Sequence, residues 1–210
     1  MVYDSIIESR VGFGWGQIKI YIISGLIWIA DAAELMIVGF LNPVLEKEWH
    51  TTPTDQAFFG STIFVAWALG TLACALIVDR IGRILPLKVA SVMIFLTGLL
   101  SSQSQTYYQL ILIRFILGFF IGMSCPIFTA ILSEISPAEN RGKRFVIMNT
   151  SFIAGELFAV LFAYMTLDTL TSGNWRMMIL MSAMMGIFAV VTVLLWGYES
   201  PRFLLNLGRH

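Results

Sequence analysis

Asp31 and Glu34 stand three residues apart inside an apolar run, and Arg114 and Glu156 each interrupt another such run. Residues at i and i+3 share a helical face, so the two carboxylates point the same way. Two acids that close in a low dielectric cannot both ionise cheaply, and such a pair accepts a proton or a cation. Each charge inside a span costs roughly 2.5–3.5 kcal/mol on insertion scales. Charges that persist there are expected to face protein or water and to mark a path for a solute or a proton. The structural alternative is neutralisation of a first-helix acid by Arg114. Arg114 has a third option, because it lies near the start of its run and a long side chain can reach back to the interface. Glu156, just after Gly155, is either a third acidic site or the partner of a polar group on the first or fourth helix.

Positioning these residues requires membrane helices. Hydrophobic residues make up 58% of the 210 and charged residues 12%. Soluble domains carry about 45–50% and about 25%, so the composition is that of an integral membrane protein. A bilayer core needs about 20 apolar residues per helix. Six runs qualify: Ile20–Val44, Phe58–Val78, Leu85–Ser102, Leu110–Leu132, Phe145–Leu167 and Met177–Trp196. They show no period-2 alternation, which excludes a spanning barrel. This divides the chain into an N-terminal segment 1–19, a six-helix domain 20–198 and a tail 199–210. The stretch from Val11 to Trp15 is suited to lie along the interface or to act as a loose aromatic anchor. Helix six carries no charge and helix three only Lys88, close to its start and grouped with the 2–3 connection, whereas one, four and five hold all four buried charges. The expectation is that one, four and five line a cavity and that three and six lie outside.

Of the 13 Lys and Arg residues, Lys47 and Arg176 fall on one side and Arg114 falls within the membrane. The rest sit at the N-terminus, in the 2–3 and 4–5 connections and in the tail. The positive-inside rule then puts both termini on the cytoplasmic side, or the matrix side in an organelle with the same bias. Zero net charge implies no nucleic-acid partner. Cys74 and Cys125 both lie in apolar runs, where a structural disulfide is not expected. No nucleophile–base pair or metal-ligand spacing points to an enzyme, and no cofactor is implied. His50 and His210 lie at helix or chain ends. Asn149-Thr-Ser151 fits a glycosylation pattern but falls on the positive side.

The 2–3 connection reads Asp79-Arg80-Ile81-Gly82-Arg83. An anion at a helix C-terminus is unfavourable and wants cationic partners, which Arg80 and Arg83 provide. Gly82 permits a turn that a β-carbon would resist. Gly118 and Gly122 follow Arg114 at four-residue spacing, a small-residue face that allows close helix approach.

Here the chain resembles the major facilitator superfamily. Asp79-Arg-Ile-Gly-Arg83 is similar to its signature loop, with Ala75 where glycine is usual. Arg114-Phe-Ile-Leu-Gly118 with Gly122 resembles its helix-four motif. Glu134-Ile-Ser-Pro-Ala-Glu-Asn-Arg141-Gly142 resembles its 4–5 loop in sugar and organic-ion porters, and Glu199-Ser-Pro-Arg202-Phe-Leu204 the segment after helix six. The string from Trp28 to Ile37, with Asp31 and Glu34, looks most like the synaptic-vesicle-2-related proteins. The resemblance implies an all-α half of the fold, built as 3+3 helices, with Asp79, Arg80, Gly82, Arg83, Glu134, Arg141, Glu199 and Arg202 in gating loops. It implies a half-transporter for a small organic solute, proton-coupled through Asp31, Glu34 or Glu156. A second six-helix half, from a separate chain or a second copy, would then complete the path. The alternative is a transport-inactive structural subunit of a larger membrane complex.

Overall fold

The computed structural model describes residues 14–135, 141–169 and 171–199; the side chains of residues 79, 135 and 141 fall outside that description. It consists of six helices: α1 (Trp15–Trp49), α2 (Pro53–Ile81), α3 (Ile84–Ser102), α4 (Tyr107–Ile135), α5 (Arg141–Thr166) and α6 (Trp175–Trp196). A two-stranded hairpin, β1 (Leu167–Thr169) with β2 (Ser172–Gly173), joins α5 to α6. All six helices are long and apolar enough to cross a membrane, so the chain is a multi-pass membrane protein. Of the expected interfacial stretch, residues 11 to 13 lie outside the described residues, as does the tail from Ser200.

The helices run past their apolar runs. α1 has 35 residues, about 50 Å at 1.5 Å per residue, against a core of about 30 Å. The polar segment Glu46–Trp49, beyond the apolar run that ends at Val44, is therefore its last helical turn. Glu and Lys are good helix formers, and leaving the oil does not end a helix. The break comes at His50, in the left-handed region at φ 52. α2 opens on a reciprocal cap. The Thr52 hydroxyl accepts from the Asp55 amide at 3.3 Å, and the Asp55 carboxylate accepts from the Thr52 amide at 2.8 Å. Pro53 follows at the first helical position, where its missing N–H costs nothing. Thr52→Ala will lower stability by about 1 kcal/mol, and Thr52→Ser will recover most of it; thermal unfolding in detergent followed by circular dichroism is the check. Gly82, at φ 92, then turns the chain into α3 within two residues.

Helix α2 packs along α4, α1 along α5 and α3 along α6; α3 also meets α4, and α1 meets α6. Exchanging one with four, two with five and three with six maps this pattern onto itself, as two related three-helix units require. The 3+3 organisation is thus visible in the contacts. Small residues set the close approaches. A methyl group at Gly122 would overlap the Trp67 carbonyl, and one at Gly70 would overlap the Phe119 carbonyl, so α2 and α4 touch backbone to backbone. The glycine face expected on α4 is this contact. Gly155 meets α1 in the same way, at Ile29 and Ala32.

Pro126 lies inside α4. It cannot donate to the carbonyl four residues back, which is that of Gly122. Thr71 on α2 supplies the missing donor, its hydroxyl lying 3.0 Å from that oxygen.

The expected placement of α3 and α6 outside the bundle is corrected. Their most apolar windows are 50% and 39% buried, against 22% for α2 and 17% for α5. At mid-span α3 and α6 pack on each other through Gly98, Ser182 and Ala183, while their outer faces still expose large apolar side chains such as Leu96 and Phe188. A β-carbon on Gly98 would stand 2.9 Å from that of Ala183. α5 is the least buried of the six, at 17% of its most apolar window.

Candidate functional site

The buried side of α1 runs through Ile23, Ile27, Asp31, Glu34, Ile37 and Leu41. Steps of three and four residues keep one face inward, so both acids fall on the stripe that enters the core. α4 does the same with Leu110, Arg114, Leu117, Ile121, Ser124 and Phe128, all buried. The two stripes meet at mid-bundle.

Glu34 and Arg114 pair there. Arg114 Nη1 lies 2.7 Å from Glu34 Oε2 and also donates to the Glu34 backbone carbonyl at 3.3 Å. Arg114 is 0% exposed and Glu34 2%, so reach-back to the interface is ruled out and mutual neutralisation is what occurs. The Glu34 carboxylate is enclosed by α3 and α6: a β-carbon on Gly98 would stand 3.2 Å from Oε1, and buried Ser182 lies beside it outside hydrogen-bond geometry. The expectation that Asp31 and Glu34 share a watery cavity is therefore corrected. Sequence spacing gave their direction, but each is enclosed by a different neighbour.

Asp31 is 1% exposed. Its Oδ2 accepts from the Ser124 hydroxyl at 2.9 Å, and Oδ1 has no hydrogen-bond partner. No cation pairs with it among the described residues. Glu156 is partly buried on α5 and makes no ion pair or hydrogen bond among the described residues. Its neighbour Gly155 packs on Ile29 and Ala32, which places Glu156 at the depth of Asp31. The structure thus separates the four charges into one neutral pair and two acids.

The loop residues cluster at the opposite end from the β1–β2 hairpin. Arg83 Nη1 lies 2.5 Å from Glu134 Oε2. The Glu199 carboxylate accepts from the backbone amides of Arg83 at 2.9 Å and Ile84 at 3.2 Å, holding the start of α3. A carboxylate is well placed at a helix N-terminus. Arg83, Glu134 and Glu199 are therefore brought together from three distant segments. Arg80 is exposed. The side chains of Asp79 and Arg141, and all of Arg202, lie outside the described residues.

A family model described as sugar (and other) transporter matches residues 21–210. The chain belongs to that family. It is 31% identical to the synaptic vesicle 2-related protein of Rattus norvegicus over 97% of its own length and 36% of that protein's. It is 27% identical to organic cation/carnitine transporter 7 of Arabidopsis thaliana, over 96% of this chain and 40% of that one. Its fold matches the major facilitator superfamily proton:xylose symporter XylE at a TM-score of 0.81 and 18% identity, covering 92% of this chain and 47% of the symporter. This member of the transporter family thus spans well under half the length of those curated relatives and about half that of the symporter.

The family member carries one more feature that sequence reading missed. A recess of about 220 Å³ is lined by Trp28 of α1, Trp67 of α2, and Asn149 and Phe152 of α5. The Trp28 ring lies 4.9 Å from that of Phe152 and 5.0 Å from that of Phe128. A wider hollow, about 360 Å³, lies between α1 and α5 near Tyr21, Gly25 and Ser151. Ser124 was also missed. Its signal was present, since it interrupts the inward stripe of α4 just as Arg114 does.

Proposed function

We propose that the chain is one six-helix half of a secondary transporter that carries a small organic solute together with a proton. A second six-helix half completes the two-sided path. Asp31 is the observation that carries this reading. It is a buried carboxylate at mid-bundle with a hydroxyl for a partner and no counter-charge among the described residues, and intramembrane acids of this kind serve as proton relays. Glu34 and Arg114 hold the adjacent framework without net charge. Both termini lie on the cytoplasmic side, following the asymmetry of Lys and Arg. The names of the relatives support a solute of the sugar or organic-ion kind.

The test is uptake by the reconstituted protein, with carnitine and xylose as first solutes and an imposed pH gradient as the driving force. Asp31→Asn is expected to remove at least about 90% of the gradient-driven component, as loss of an essential proton carrier would. Glu34→Gln will act mainly through stability. Proton dependence that survives in both variants removes the coupling role. A structural subunit would instead show no solute-dependent proton movement in any variant.

A further inference from the structure

We infer that Lys19 and Lys88, flanking the last turn of α6, form a binding site for the headgroup of an anionic phospholipid. Helix α6 packs against both α1 and α3. The three share one apolar cluster, to which they contribute Ile23, Leu87 and Val193. Lys19 stands one turn inside α1, Lys88 one turn inside α3, and Trp196 ends α6, all at the end away from the β1–β2 hairpin. Lys19 Nζ lies 5.8 Å from the centre of the Trp196 ring. An indole face attracts a cation, so this ammonium is held at the end of α6. The Lys88 stem lies against the next residue: a β-carbon on Gly197 would stand 3.2 Å from Lys88 Cε. Two adjacent residues of α6 and its cap thus gather cationic side chains from two other helices.

Neither lysine has an acid partner among the described residues. The two acids whose side chains are described at this end are engaged: Glu134 by Arg83, and Glu199 by the amides of Arg83 and Ile84. The other cations described there, Arg80, Lys143 and Arg144, have the same sign as the lysines. At the hairpin end, by contrast, Arg176 is paired with Glu48 at 3.1 Å. Lysines one turn inside a span extend their heads to the interface, at the level of lipid phosphates. Basic pockets between spans take up anionic headgroups there. The apolar side chains beside the lysines favour a lipid over a soluble anion. Trp15 and Ile22 share the Lys19 face of α1, and they, Leu85 of α3 and Leu195 of α6 are exposed, a wall on which acyl chains can lie.

The experiment presents the purified chain, in mixed micelles, with equal amounts of phosphatidylglycerol and phosphatidylcholine, and counts retained lipids by native mass spectrometry. Phosphatidylglycerol is expected to be preferred about twentyfold, roughly fivefold from each lysine. Lys19→Gln and Lys88→Gln will each reduce the preference about fivefold, and the double variant will abolish it. Lys19→Arg and Lys88→Arg, which keep the charge, will retain most of it. Lys143→Gln removes an exposed cation from the same end of the bundle, on α5, and is expected to leave the preference unchanged. An equal loss in Lys143→Gln would mean a diffuse surface attraction and overturns the inference. So does equal retention of the two lipids, or an unaltered preference in the double lysine variant. Glycerol 3-phosphate is the soluble headgroup arm; displacement of the lipid by it at comparable concentration overturns the lipid assignment. None of these outcomes touches the transporter reading, which falls separately if Asp31→Asn leaves proton-driven uptake intact.

Discussion

Arg114→Met will cost the bundle about 3–5 kcal/mol, because it leaves the Glu34 carboxylate buried without its counter-charge. The pair lies at mid-bundle, 0% and 2% exposed, with no water-facing atom to soften the loss. Glu34→Leu will cost a similar amount by stranding the guanidinium. The double variant is expected to lie closer to the native protein than either single one, since removing both partners removes the stranded charge. Equilibrium unfolding in mixed micelles, run as a double-mutant cycle, gives the coupling energy. Additive losses would show that the two residues stabilise the bundle independently.

Gly122→Val is expected to be the second large effect, about 3 kcal/mol or more, at the upper end of overpacking costs. The obstacle is the Trp67 main-chain carbonyl, which has no rotamer to yield. α2 and α4 would have to separate, and their other backbone contact, at Gly70 and Phe119, would loosen with them. Gly39→Ala is the control. A β-carbon there meets nothing within 4 Å, so the change is expected to be neutral or to stabilise α1 by up to about 1 kcal/mol through helix propensity. The same micelle unfolding measurement compares the two.

The six spans were legible because long apolar runs between polar connections have one stable solution in lipid. Helix ends were less legible. Glu46-Lys47-Glu48 marks where α1 leaves the oil, but the helix continues to Trp49, since polarity and helix propensity are separate signals. The inward direction of Asp31 and Glu34 followed from their spacing. Their partners did not, because Arg114 lies 80 residues from Glu34 and nothing local selects which acid it takes. The role of α3 and α6 was misjudged for a related reason. Absence of charge at mid-span permits either lipid or protein as a neighbour, and small residues such as Gly98, Ser182 and Ala183 turn one face to protein while Leu96 and Phe188 stay exposed on the other. The aromatic recess was hidden altogether: Trp28, Trp67 and Phe152 each read as apolar filler until three helices bring them together.

The hydroxyl that Thr71 lends to the Gly122 carbonyl has a mechanical effect. Proline at 126 removes one rung of the α4 ladder, and the freed carbonyl is clasped from α2 rather than left slack. Near the C-terminal end of α4, Glu134 grips Arg83, just beyond the end of α2. The inner portions of α2 and α4 are thus braced at both ends like a strut, and a displacement of this stretch of α4 must carry the 2–3 loop with it.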